Sequence, residues 1–290
     1  MNFEKKSSHR DIKVYNEKNR ISLLNISYLI EQLSIHGYIK IENFKNLEDF
    51  KKFTDLTGLH FRGYYGAGII RESSLNDHTL LNVNMPDDFG GSTLHGEQYY
   101  LTNPPGIIFF YCNKKAEKGG ETLLCKGTEL LIRLPDILQY KFIEQNILIK
   151  RIFPAEQWNS TIGEKSEVAK GWKCQTGSDG RVYIKFETKG IWKAPNGMNA
   201  FINSILPMLF DFEKEDQKME VLFEDGTVID RTIGKKILDV AKNVQQKILL
   251  QENQGLIVDN RWVMHGRTAF SGERQMFTRM SLASIKLENL

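Results

Sequence analysis

Nowhere in the 290 residues does an apolar run approach the roughly 18 residues a membrane-spanning helix needs. The opening segment, MNFEKKSSHRDIKVYNEKNR, is charged throughout and lacks the apolar core of a secretory leader, so a cytoplasmic protein is expected. Cysteine is scarce. The three, Cys112, Cys125 and Cys174, are odd in number and form no CxxC, which argues for reduced, packed thiols over a disulfide framework or zinc site. An excess of one charge is also missing. The 39 Lys and Arg against 36 Asp and Glu leave +3, spread along the chain, which argues against a nucleic-acid binder with one concentrated basic face. There is no repeat and no low-complexity tract. What remains is ordinary for a soluble globular protein, 41% hydrophobic and 26% charged, and long enough for a substantial core. One domain over residues 1–290 is expected, with residues 1–20 as a solvated arm.

Periodicity suggests helices first and strands after. Ile26, Leu29, Ile30 and Leu33 have helical spacing that stops near Gly37, and YIKIENF then alternates as a strand. Residues 46–57 read as a second helix, and 128–147 as helix interrupted at Pro135. PGIIFFYCN is an apolar run of strand length, closed by the turn-like KKAEKGGET. Residues 234–251 read as a helix, GLIVDNRWVMH as one strand-like run, and MFTRMSLASIKL as a strand. This order fits an α+β, mainly β domain better than alternating βαβ units, with a two-sheet jelly roll as its core.

Six histidines and 36 acidic residues predict fewer than one His-x-Asp/Glu triplet by chance, and two occur. His9-Arg10-Asp11 lies in the charged arm, where no framework could hold a ligand in place. His95-Gly96-Glu97 lies between a Gly-rich loop and an apolar strand. On extended chain, residues i and i+2 share a face, so the imidazole and carboxylate reach one point. Such a pair is two-thirds of the facial triad that binds iron(II). His265, at the end of GLIVDNRWVMH, is the best candidate for the third ligand.

HGEQYYLTNPPGIIFFYCNKKAEKGGETLLCKG resembles the first metal-ligand region of the taurine dioxygenase and clavaminate synthase superfamily, and DNRWVMHGRTAFSGERQMFTRMSL resembles its second. The likeness covers about residues 80–290. It implies a double-stranded β-helix and an oxygenase using iron(II), 2-oxoglutarate and dioxygen, with His95, Glu97 and His265 as metal ligands. It also implies that Arg279, 14 residues after His265, anchors the distal carboxylate of 2-oxoglutarate together with Thr122 of the GGET segment. In MFTRMSLASI, Arg279 and Ser281 fall on one strand face, so Ser281 is expected to share that ligand. Asn82 is expected near the cofactor, and Gln98, Tyr99, Tyr65, Arg62, Phe201, Asn203 and Arg274 are candidates for the substrate pocket. FPAEQW and VLFEDGTVI resemble members found beside peptide and amino-acid biosynthesis genes. The implied substrate is therefore an amino acid, a carrier-bound aminoacyl group or a related small metabolite, hydroxylated or desaturated. A halogenase on the same scaffold would carry a small residue in place of Glu97. A metal-free jelly-roll binding protein would have degenerate ligands.

Overall fold

Every side chain of the run Ile107–Cys112 is buried, because its strand, Ile107–Lys114, lies at the centre of a sheet covered on both faces. Ile108, Phe110 and Cys112 point into the main core, whereas Ile107, Phe109 and Tyr111 point outward into a second apolar cluster. The computed structural model describes residues 11–12, 23–64, 71–83, 90–156, 171–211 and 219–282, with side chains from residue 28 onward.

Around that strand the largest sheet runs in the order Asp11–Ile12, Tyr38–Ile41, Gln254–Asp259, Ile107–Lys114, Gln275–Ser281, Asp77–Asn82 and Ser73–Ser74, with Phe61–Arg62 paired to Gln275–Ser281. Its pairings are antiparallel except the first, where Asp11–Ile12 adds in parallel to Tyr38–Ile41. That pairing falls within the segment expected to be a solvated arm. A second, four-stranded sheet runs Gln246–Ile248, Thr122–Lys126, Val263–Arg267 and Ser92–His95. A third, of Lys173–Thr176, Arg181–Lys189, Asn146–Pro154 and Met219–Phe223, adds its inward residues Ile147, Ile149 and Phe153 to the main core. The fold is the expected mainly β double-stranded β-helix, with flanking and inserted helices.

The helices Leu23–His36 and Leu47–Asp55 cover the outer face of the large sheet. The first stops at Gly37, whose φ of +81° suits glycine. The second starts at Asn46, whose side chain accepts a hydrogen bond from the amide of Asp49. Phe44, Phe50, Phe53 and Tyr111 interlock beneath them, with ring centroids 5.2 to 5.9 Å apart.

Two expectations are corrected. The helix expected over 234–251 is Arg231–Lys242, capped by Asp230, and Gln246–Ile248 turns into a strand beside Thr122–Lys126. GLIVDNRWVMH is not one strand. It breaks at residues 260–262 into Gln254–Asp259 of the large sheet and Val263–Arg267 of the second. His265 is thereby delivered to the sheet that carries His95.

Candidate active site

His265 and His95 are direct cross-strand partners, with ring centroids 4.4 Å apart. Close approach of their strands depends on Gly266, where a Cβ would lie 2.7 Å from the carbonyl oxygen of Ser92. The strand carrying His95 ends at that residue and Glu97 lies in the following turn, so extended-chain alternation is not what brings the two together. The turn is fixed from both sides. The Gly96 amide donates to the Asn203 carbonyl at 2.8 Å, and the Ser204 hydroxyl donates to the Gly96 carbonyl at 2.7 Å. Asn260 accepts from the Glu97 amide at 2.8 Å and donates to the carbonyls of Glu97 and Pro105 at 3.1 and 2.7 Å. Gly96 has no room for a side chain, since a Cβ would meet Tyr99 and Ile202 at 2.5 and 2.7 Å. Asn260 was missed by sequence reasoning, and the available signal was a polar residue inside the DNRWVMH segment.

The Glu97 carboxylate lies 3.8 Å from His95 Nε2 and 3.6 Å from His265 Nε2. These separations are too long for hydrogen bonds and short enough for one ion with ligand bonds of about 2.1 Å to bridge. Among the described residues this is the one group of His, Cys, Asp or Glu side chains placed to hold a metal, with donor atoms all within 4.8 Å of one another. The ring orientations fit. His95 Nδ1 lies 2.8 Å from the Thr93 carbonyl, which makes it the protonated nitrogen and leaves Nε2 as the donor. His265 Nδ1 is buried without a hydrogen-bond partner. Burial and the neighbouring charge of His95 push His265 down to about 4, so it is a neutral ligand at pH 7. For His95, burial acts against the charged ring, but Glu97 and the Thr93 carbonyl more than offset it and raise the pKa. Burial acts against the Glu97 carboxylate too, yet the two imidazoles hold its pKa well below the usual value.

The other expected site residues divide by face. Thr122 and Leu124 lie two apart on one strand, Leu124 is opposite His265, and both are buried on the inner side. Arg274 precedes the strand Gln275–Ser281. Its Nε lies 3.2 Å from where a Gly120 Cβ would be, its guanidinium is 5.5 Å from the Phe270 ring, and its charge reaches the inward Cys112 thiol. Arg279 is opposite Phe109, on the outer face, so the expected anchoring role is corrected. Its guanidinium is 2.6 Å from Asp55 and 3.2 Å from Asp77, donates to Thr54 and Thr79, and lies 3.9 Å from the Phe61 ring. Ser281 and Asn82 are corrected with it, being opposite the outward residues Ile107 and Phe277.

Several pocket candidates make contacts that hold the fold. Tyr99 donates to the Asn260 carbonyl and packs edge-on to Trp192, and Phe201 packs edge-on to Phe142 in the core. Asn203 donates to the Gly190 carbonyl at 3.0 Å while holding Gly96. Arg62 and Gln98 bond to each other, and Arg62 also donates to the Asn103 carbonyl. Tyr65 and the alternative His9 lie outside the described residues. Sequence reasoning also passed over Arg71 and Tyr64, each of which feels the Glu97 charge.

The model of the taurine catabolism dioxygenase TauD, TfdA family matches residues 17–281. A clavaminate synthase-like protein of Arabidopsis thaliana is 22% identical over 279 residues, which is 87% of this chain and 84% of its own. A taurine dioxygenase from Burkholderia xenovorans shares the fold with a TM-score of 0.56 at 12% identity, covering 91% of this chain and 81% of that one. AAD-2, solved in complex with Mn(II) and N-oxalylglycine, does so with a TM-score of 0.58 at 10% identity, covering 94% and 95%. The family match spans all three residues of the His–Glu–His group, and the chain belongs to the TauD, TfdA family as an iron(II)- and 2-oxoglutarate-dependent dioxygenase.

Proposed function

We propose that this dioxygenase oxidises a C–H bond of an amino acid, free or held on a carrier protein, or of a related small metabolite. Hydroxylation is the default outcome, and desaturation would use the same residues. His95, Glu97 and His265 hold iron(II), supported by the convergence of their donor atoms. Arg274 and Thr122 take the distal carboxylate of 2-oxoglutarate, supported by the burial of Thr122 on the strand paired with that of His265 and by Arg274 lying against Gly120 of the same GGET segment. A guanidinium pairs a carboxylate with two parallel hydrogen bonds, which fixes orientation as well as position.

Iron(II), 2-oxoglutarate and dioxygen supply the oxidising chemistry, with succinate and carbon dioxide as co-products. This chain's residues position and shield. Thr93 holds the His95 Nδ1 proton, Asn260 fixes the turn bearing Glu97, and the Phe110 ring, its centroid 5.4 Å from that of His265, forms an apolar wall of the centre. The amino-acid substrate class is supported by the likeness of FPAEQW and VLFEDGTVI to biosynthetic members of the family. No helix among the described residues is long and apolar enough to cross a membrane. A cytoplasmic location belongs to the same proposal, supported by the three free cysteines.

The observation that carries the reaction type is the Glu97 carboxylate, since it occupies the coordination position a halogenase leaves for chloride. With chloride present, the substrate should gain one oxygen or lose two hydrogens. Mass spectrometry of the product decides this, and a chlorinated product from the wild-type enzyme would refute it.

A further inference from the structure

We infer that the buried pair Arg62 and Gln98 positions the Glu97 carboxylate, so that iron(II) affinity depends on a hydrogen bond made outside the donor set. This deepens the metal-site reading above and rests on it. Gln98 directly follows Glu97, and its backbone is left-handed, with a φ of +58°. That conformation is uncommon for a residue other than glycine and persists where surrounding contacts impose it. The contact here is Arg62. Its guanidinium donates to the side-chain oxygen of Gln98 and, at 3.0 Å, to the Asn103 carbonyl. Between these two acceptors the Leu101 amide closes a turn by donating to the Gln98 carbonyl at 2.9 Å. Arg62 reaches this turn from another part of the barrel. It is the cross-strand partner of Met280, a residue of the main core. Directly opposed residues share a sheet face, so the guanidinium enters from the inner side. Both Arg62 and Gln98 are buried.

Peptide geometry carries the effect to Glu97. The Glu97 carbonyl and the Gln98 amide belong to one planar unit. Its tilt is set by ψ of Glu97 on one side and φ of Gln98 on the other. If Gln98 relaxed to an ordinary negative φ, that plane would turn. The Glu97 carbonyl would then leave the Asn260 side chain, which donates to it at 3.1 Å. The Glu97 backbone would rotate with it and move a carboxylate that lies 3.8 and 3.6 Å from the two imidazoles. Asn260 and Arg62 therefore hold the same peptide from its two sides, one through the backbone of Glu97 and the other through the side chain of Gln98. The Gln98 Nε2 is buried and has no hydrogen-bond partner. What Arg62 needs from this side chain is its acceptor alone.

The test measures iron(II) affinity of the full chain by anaerobic equilibrium dialysis, with melting of the metal-free protein to show that each variant is folded. Arg62→Met and Gln98→Gly should each weaken iron(II) roughly 10- to 100-fold, the cost typical of losing a group that orients a ligand. Glycine accepts the left-handed backbone freely, so Gln98→Gly removes the anchor without straining the turn. Gln98→Glu keeps an acceptor for Arg62 and should stay within a few-fold of wild type. Arg279→Met supplies the control for stability, since it breaks a buried pair on the outer face and should leave iron(II) affinity unchanged. Three results would overturn the inference. Arg62→Met and Gln98→Gly could bind iron(II) as tightly as wild type. Gln98→Glu could lose as much as Gln98→Gly, which would assign the effect to the amino group. Arg279→Met could lose as much as Arg62→Met, which would make the loss one of fold stability. Failure of the metal-site reading is distinct, because Glu97→Ala would then bind iron(II) as wild type does.

Discussion

His265→Ala protein is expected to bind no iron(II) above background and to make succinate at less than about one-hundredth of the wild-type rate. Changes to residues that merely orient a metal ligand typically cost roughly 10- to 100-fold, and loss of a ligand should exceed that. The structure gives a reason to expect a clean result. His265 is on the middle of three strands, between Leu124 and His95, and its Nδ1 has no hydrogen-bond partner. Removing the ring breaks no hydrogen bond there, so the barrel should remain folded while the site loses one of three donors. Glu97→Ala should have the same effect on iron, for the same arithmetic of donors. Iron binding by equilibrium dialysis and succinate release measure the two quantities. Full turnover by His265→Ala would mean that the metal is held elsewhere.

The second large effect separates two arginines five residues apart. Arg274→Met should raise the 2-oxoglutarate requirement about 30-fold or more, because removing one partner of a hydrogen-bonded charge pair costs about 2–5 kcal/mol. Arg279→Met should leave 2-oxoglutarate affinity within a few-fold of wild type and destabilise the fold instead. Arg279 is 4% exposed and bonded to Asp55, Asp77, Thr54 and Thr79. Breaking a buried pair on one side costs about 3–5 kcal/mol. Because the Asp55 side chain is 44% exposed, about 3 kcal/mol is the appropriate figure. That corresponds to a fall in Tm of roughly 6 °C. Both carboxylates titrate below their ordinary range. Burial opposes this, and it is outweighed by Lys51 and Arg279 at Asp55, and by Thr79, Arg279 and Lys51 at Asp77. A depressed carboxylate pKa stabilises the fold above the unfolded value and loses that contribution as pH falls through the folded one. The stability gap between wild type and Arg279→Met should therefore be full at pH 7 and close below about pH 4. Thermal melts across pH, with 2-oxoglutarate titrations of both variants, give the comparison. A steep loss of 2-oxoglutarate affinity in Arg279→Met, with unchanged melting, would reverse the assignment.

These arginines also show what the sequence could and could not disclose. Alternation in MFTRMSLASI correctly puts Arg279 and Ser281 on one face. It is silent on which face meets the cofactor, because both faces of this sheet are covered, one by the barrel interior and one by helices. The anion partners of Arg279 come from Asp55 and Asp77, more than 200 residues earlier, and no local pattern reports them. A shift in register at Gln275–Met276 further separates Arg274 from the strand's regular alternation. The three donors were legible because their types are rare and their setting is distinctive. The geometry joining them was not. His95 and Glu97 straddle the end of a strand, and the break after Asp259 that carries His265 into the other sheet lay hidden within a continuous apolar run. Asn260, at that break, reads as a turn residue and is in fact a completely buried clamp on the Glu97 turn.

Anaerobic titration of the purified protein with iron(II) and 2-oxoglutarate tests the central claim most directly. The account predicts a weak visible charge-transfer band that needs both components, saturates at one iron per chain and is missing from His265→Ala. No band in the wild type, or an equal band in the variant, would contradict it.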